Sequence, residues 1–250
     1  MTVSRSSPER LAGLGLTGER TLPGVWHENY WFRRHEAGYR WAVSLGVAGT
    51  VVEAGVGEGY GATALLRAGA DRVLGLDLDP VTLRHVAEQH RGVAPLRSNL
   101  VALPLRAASV DLVVCAQTVE HLWDQERFVA ECARVLRPGG RLALTTPNRL
   151  TFPPGNPFHS RELDAAELAA LVATAGLMVT TVAGLHHGTR LSDVDRHLEP
   201  RGGLVAAQLL TTYDRWGDDL ASTVRSVTAE DFLAGHAEAS LDLLLAATRP

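Results

Sequence analysis

The sequence predicts an α/β fold built on a doubly wound, mostly parallel sheet, and three observations carry that expectation. Short apolar runs rich in β-branched residues recur through the first 150 residues, separated by helix-like stretches. The first run, Thr50 to Glu53, enters a turn with glycines at alternating positions, Gly55, Gly57 and Gly59. Glycine permits positive φ and lets a ligand approach bare backbone. The second run, Arg72 to Leu76, ends on Asp77, an acid about 20 residues beyond the first glycine, where a carboxylate can accept both hydrogen bonds of a ribose diol.

The elements follow in order. Met1 to about Thr21 is polar, contains glycine, and reads as flexible. Glu28 to Trp41 gathers aromatic residues on an amphipathic helix that should end before Gly46 or Gly49. It either packs on the sheet edge or forms a lid, with Tyr30 and Trp31 over a ligand and Arg34 or His35 meeting its carboxylate. Ala62 to Ala68 reads as a helix. Asp79 caps the next helix, Pro80 to Gln89, with proline at its first position. Strands are expected at Val93 to Leu96 and Val110 to Cys115, and a helix at Phe128 to Leu136. That helix should be closed by Arg137-Pro138-Gly139-Gly140 before a strand from Arg141 to Thr145. A proline-rich loop, Thr151 to Ser160, precedes a helix from Asp164 to Ala175 and a strand from Leu177 to Val182. Residues 185–226 read as an irregular insertion near the site, with one helix at roughly 203–214. Leu241 to Thr248 reads as the closing strand.

Composition narrows the function classes. The net charge is −4, and no basic block invites nucleic acid. No run of 18 apolar residues suits a membrane span, so a cytoplasmic protein, monomer or homodimer, is expected. Cys115 and Cys132 lie inside predicted elements without metal-type spacing and read as buried thiols. The division expected is residues 1–48 as arm and lid helix and 49–250 as the ligand-binding domain.

The glycine turn is not a dinucleotide fingerprint. G-x-G-x-x-G would place its third glycine at Tyr60. Glu53, two residues before Gly55, would face a pyrophosphate badly and would suit a ligand carrying an ammonium or a sulfonium. Beyond the fourth strand, where a doubly wound sheet meets its ligand, stands the acid–imidazole pair Glu120-His121. Histidine titrates near neutrality and can take a proton from a hydroxyl.

The runs E-A-G-V-G-E-G and V-L-R-P-G-G-R-L-A-L-T-T-P-N resemble the class I S-adenosylmethionine-dependent methyltransferases. The resemblance implies a Rossmann-like sheet, S-adenosyl-L-methionine as cofactor and S-adenosyl-L-homocysteine as product. It favours the lid reading of the first helix. The family loop G-D-A-x-x-L-P corresponds here to the stretch Arg97-Ser98-Asn99-Leu100-Val101-Ala102-Leu103-Pro104. Asn99 would accept the hydrogen bond of the adenine amino group in place of the acid, and Leu100 would pack on the ring. Leu78 and Gln117 complete the expected cofactor set.

A narrower resemblance rests on L-T-G-E-R-T-L-P-G, E-N-Y-W-F-R-R-H-E-A, E-H-L-W-D-Q, N-P-F-H-S-R-E-L-D-A-A-E-L and the terminal S-L-D-L-L-L-A. These look like actinobacterial sugar methyltransferases of methylglucose lipopolysaccharide synthesis. That implies O-methylation of a glucose unit in an oligosaccharide, with His159 and His187 on the acceptor side. No ligand spacing demands a metal, although Glu120, His121 and His159 could be recruited for one. The alternatives are a methyltransferase acting on a phenol or quinone, a nicotinamide-dependent oxidoreductase, and a cofactor-binding regulator without catalysis.

Overall fold

The computed structural model describes residues 10–11, 14–16 and 20–250. Most of the segment expected to be flexible lies outside the described residues. What is described there is a short hairpin, β1 (Arg10–Leu11) and β2 (Leu14–Gly15). The chain then alternates through α1 (Asn29–Ser44), β3 (Thr50–Ala54), α2 (Tyr60–Arg67), β4 (Arg72–Asp77), α3 (Pro80–Gln89), β5 (Val93–Arg97), β6 (Val110–Ala116), α4 (Gln125–Val135) and β7 (Leu136–Pro147). It continues with α5 (Ala165–Thr174), β8 (Met178–His187), α6 (Thr189–Leu198), α7 (Gly203–Leu209), α8 (Asp218–Ser226), β9 (Phe232–Gly235) and β10 (Asp242–Thr248).

Eight strands form one sheet in the order β5-β4-β3-β6-β7-β10-β8-β9. The first five of these are parallel. β10 runs antiparallel between β7 and β8, and β9 closes the edge. This is the doubly wound sheet the sequence predicts, with the strand order reversing between β3 and β6, where such sheets bind ligands.

Both faces are buried, and the side chains divide strictly with a period of two. Val52, Leu74 and Val113 join Phe128, Val135 and Leu168 of α4 and α5 in one core. Val51, Val73, Leu112 and Val114 face Tyr39, Leu65 and Val86 of α1, α2 and α3 in the other. Cys115 and Cys132 are buried free thiols. α3 begins as its sequence dictates: Asp79 accepts from Val81 N at 2.9 Å and Thr82 N at 3.3 Å, and Pro80 follows it. α5 opens on a full capping box between Asp164 and Glu167.

Three element boundaries differ from expectation, the first two because of a distant partner. The predicted helix stop Arg137-Pro138-Gly139-Gly140 is drawn into β7. Leu136 already pairs with Val110, and Arg249 exchanges backbone hydrogen bonds of 2.8 Å with Gly139 and Gly140. β8 runs on to His187 because β10 pairs it on one side and β9, which carries no clear strand signal, on the other. The helix expected over 203–214 stops at Leu209, and α6 and α8 flank it. Among the described residues no helix is long and apolar enough to cross a membrane.

Candidate active site

The sheet reversal opens a cavity of about 430 Å³ at the carboxyl ends of β3, β4 and β6. That volume lies within the range of about 300–1,000 Å³ usual for small-molecule sites. Its floor is the glycine turn. Gly55 (φ +83°) approaches Thr118 so closely that any β-carbon would strike that side chain. Gly57 (φ +52°) lines the cavity, and a β-carbon there would meet nothing within 4 Å, so bare backbone faces the ligand space. Asp77 stands at the end of β4. Its Oδ2 accepts from Gly57 N at 3.2 Å and its Oδ1 from Asp79 N at 3.0 Å. Each oxygen keeps a lone pair for a ligand hydroxyl.

Leu78, Asn99, Leu100 and Gln117 line the same cavity, as does His121. Gln117 is held at φ +50°, a conformation rare outside glycine. Its N–H donates to Thr145 O at 2.9 Å and its side-chain amide to Thr145 Oγ1 at 3.3 Å. Such backbone costs on the order of 1–3 kcal/mol and persists where its surroundings enforce it.

A second, smaller cavity of about 230 Å³ adjoins the first, sharing Arg20, Thr21, His35, Gln117 and His121 with it. It adds Trp31, Glu120, Phe152, Asn156 and His159, and Leu209 from α7. His121 Nδ1 lies 2.9 Å from the carbonyl of Phe158. A carbonyl only accepts, so Nδ1 carries the proton and the neutral ring keeps its lone pair on Nε2. His159 is tied at both nitrogens, to Glu162 Oε1 at 2.7 Å and to the Asn156 amide at 3.1 Å. It meets His121 edge-to-face at 5.0 Å between ring centroids. Glu120 is buried beneath them and accepts from Thr146 Oγ1 at 3.0 Å. Burial pushes its carboxyl up to about 7, against the pull of His121. Glu120, His121 and His159 bring ligand-type atoms within 4.8 Å of one another.

Several predicted site residues sit elsewhere. Glu53 does not face the ligand space. It is fully buried under the start of α2, where Tyr39 donates its hydroxyl to Oε1, and burial raises its carboxyl to about 8. Gly59 caps α2 at φ +104° instead of lining the cavity, and a β-carbon there would come 2.7 Å from His90. Tyr30 is fully buried, with its hydroxyl 2.7 Å from His187 Nε2. His187 is thereby part of the packing under α1 and reaches neither cavity. Arg34 borders the second cavity, but its guanidinium is committed to Asp242 through Nε at 2.7 Å and Nη2 at 2.5 Å. The residue of α1 that faces both cavities is His35, whose Nδ1 lies 3.1 Å from the Tyr60 hydroxyl. Burial holds His35 down to about 4 and therefore neutral. Thr21 also meets that hydroxyl at 3.1 Å, and Arg20 pairs with Asp79 at 3.2 Å across the mouth. Sequence reasoning missed Tyr60 as a bridge. Its place one residue after Gly59, at the start of α2, was the available signal.

The donor set suits an adenosyl amino-acid ligand: bare backbone at Gly57, a carboxylate with free lone pairs at Asp77, and an amide beside an apolar side chain at Asn99 and Leu100. Comparison with known proteins points the same way. A family model described as a methyltransferase domain matches residues 52–144. "Probable S-adenosylmethionine-dependent methyltransferase Rv3030" of Mycobacterium tuberculosis is 46% identical, over 100% of this chain and 93% of its own length. A Mycolicibacterium smegmatis protein with the same description is 48% identical over 96% of each chain. Among solved structures, the methyltransferase bound to the Haloferax volcanii Trm112 activator shares the fold with a TM-score of 0.64. It is 21% identical and matches over 94% of this chain and 98% of its own.

Proposed function

The chain belongs to the S-adenosylmethionine-dependent methyltransferases, and from that premise we propose that it methylates a sugar hydroxyl, on a glucose unit of an oligosaccharide or polysaccharide, with His121 as general base. The observation that carries this reading is the place of His121 at the junction of the two cavities, with its Nδ1 proton fixed by Phe158. When bound, S-adenosylmethionine supplies a methyl group already activated on a sulfonium.

The protein's own contribution is to hold and to deprotonate. Asp77 would take the ribose hydroxyls, Asn99 and Leu100 the adenine, and the backbone at Gly55 and Gly57 the remainder. His121 Nε2 would take the proton of the acceptor hydroxyl as that oxygen becomes the nucleophile. Glu120, within 4.8 Å, would stabilise the imidazolium so formed. Alignment can supply roughly 7–11 kcal/mol of barrier lowering, and a base about 10²–10⁴-fold in rate, so positioning is the larger effect.

The second cavity supports the acceptor class. Its 230 Å³ suits one ring and not a whole chain. Trp31 offers a flat apolar face, while Asn156 and Glu120 offer hydrogen-bonding groups and His159 holds the Asn156 amide in place. Leu209 brings the helices between β8 and β9 to its wall, in keeping with residues 185–226 as an acceptor-side addition. The deciding experiment supplies labelled S-adenosylmethionine with glucose oligosaccharides, quinones and simple phenols. Label is expected in the oligosaccharides; label confined to the phenols or quinones overturns the sugar assignment.

A further inference from the structure

Behind the glycine turn lies a second cluster that the methyl-transfer reading does not use. Glu58 stands between Gly57 and Gly59, and its side chain reaches toward α3. Its Oε1 accepts from His85 Nε2 at 3.0 Å and from His90 Nε2 at 3.2 Å. All three donor atoms lie within 4.8 Å of one another. The Glu58 side chain is 6% exposed and that of His85 4%, while His90, at 13%, is the side open to solvent. Glu58 Oε2 is buried and makes no hydrogen bond among the described residues. His85 Nδ1 is likewise buried without a partner among the described residues. Polar atoms stripped of water with no partner are costly, which leaves two acceptors in this cluster unexplained.

We propose that Glu58, His85 and His90 form a binding site for a divalent transition-metal ion of the zinc class, which fastens the cofactor-lining turn to α3. Two imidazole nitrogens and one carboxylate are a donor set zinc favours, with water in the fourth place. With metal–ligand bonds of about 2.0–2.1 Å, tetrahedral ligands stand about 3.3–3.4 Å apart. The observed 3.0 and 3.2 Å are close to that spacing, so the ion enters with small outward shifts. The carboxylate, which contacts both rings through Oε1, then shares its charge with the ion.

The proton balance closes. A carboxylate only accepts, so both rings now carry hydrogen on Nε2. Coordination there moves each proton to Nδ1, and none is lost overall; His85 Nδ1, bare among the described residues, then becomes a buried N–H. His90 Nδ1 already lies 2.8 Å from Thr63 Oγ1, which accepts as readily as it donates. Such a partner fixes the tautomer and orientation of a metal-bound histidine.

The test titrates tag-free protein with Co²⁺, followed by visible absorption and by metal content after gel filtration. The expected result is one ion per chain with the intense bands of a four-coordinate site. His90→Gln should abolish the signal, and Thr63→Val should weaken binding about 10–100-fold. The double variant His121→Ala/His159→Ala should bind as tightly as the parent, because its rings belong to the other cluster. Circular dichroism checks that each variant folds. The parent protein alone can overturn the proposal by binding no stoichiometric ion. Signal retained in folded His90→Gln, or lost in the double variant, overturns it equally.

Discussion

Asp77 carries the most testable role in the site. Its two oxygens each accept one backbone N–H, from Gly57 and from Asp79, and keep lone pairs for a diol. Asp77→Asn turns one of those acceptors into an amide donor that faces an N–H, and removes the charge that strengthens the ligand bonds. Hydrogen bonds to a charged group are worth about 1.5–3 kcal/mol, so S-adenosylhomocysteine should bind roughly 10–100-fold more weakly by calorimetry. Unchanged affinity would remove Asp77 from the cofactor site. His121→Ala should behave differently: kcat falls about 10²–10⁴-fold while S-adenosylhomocysteine affinity stays within a few-fold. The place of Asp77 on the cavity was legible in the sequence, because the end of a parallel strand faces the crevice whatever the neighbours are. Glu53, Arg34, Tyr30 and His187 were not legible, because burial decides their roles. Each is engaged by a side chain outside its own element, such as Asp242 for Arg34 and Tyr39 for Glu53.

At the scale of elements, the β3–turn–α2 unit is locked from below. Gly61, in the first turn of α2, has no room for a β-carbon, which would run into the Tyr39 ring and Glu53 Oε1. Gly61→Ala should therefore destabilise the fold by about 1–3 kcal/mol in urea, with no change in m-value, against the mild gain a helical alanine would otherwise bring. The buried Glu53 also makes this unit sensitive to pH. Burial raises its carboxyl to about 8, well above its ordinary 4.5. Below 4.5 the group is protonated in both folded and unfolded chains. As pH climbs from 4.5 to 8 the unfolded chain releases its proton and the folded one keeps it, so stability falls across that window. Glu120, raised to about 7, adds to the fall. His35 and His187, both pushed down to about 4 by burial, act oppositely, weakening the fold as pH drops from 6.5 toward 4. Glu53→Gln removes only its own share, so its melting temperature should fall less between about pH 5 and pH 8 than that of the parent. Parallel curves for the two proteins would show that Glu53 is ionised in the fold. The parallel strands and capped helices were legible, since apolar runs and Asp79-Pro80 are local signals. β9 and the extension of β8 were not, because each exists by pairing with chain remote from it.

At the scale of the molecule, α1 ties the beginning of the described chain to its end. Arg34 donates to both oxygens of Asp242, 208 residues away, and to the carbonyl of Leu241 at 2.8 Å. Both side chains are 2% exposed, so neither water nor salt can substitute for the partner. Around this pair α1 also reaches Glu53 through Tyr39 and His187 through Tyr30, which makes it a strap over the sheet. No local pattern announces such a pair; a ligand-carboxylate role for Arg34 and a strand role for Asp242 are each what the sequence suggests by itself. The pair's energetics follow from its burial. Losing one partner strands the other charge in a dry interior, at a cost of about 3–5 kcal/mol, whereas replacing both by apolar residues of similar volume is often neutral. Arg34→Met and Asp242→Leu should therefore each lower unfolding free energy by about that amount, and the double variant should recover most of it, in urea at both low and high salt. Because Arg34 also borders the second cavity, the double variant separates two duties of one residue. Restored stability with both S-adenosylhomocysteine affinity and turnover unchanged would assign the pair to the strap alone. A strictly additive cycle, with the double variant as weak as the two losses combined, would mean that the charges do not depend on one another and that α1 is held by its aromatic contacts.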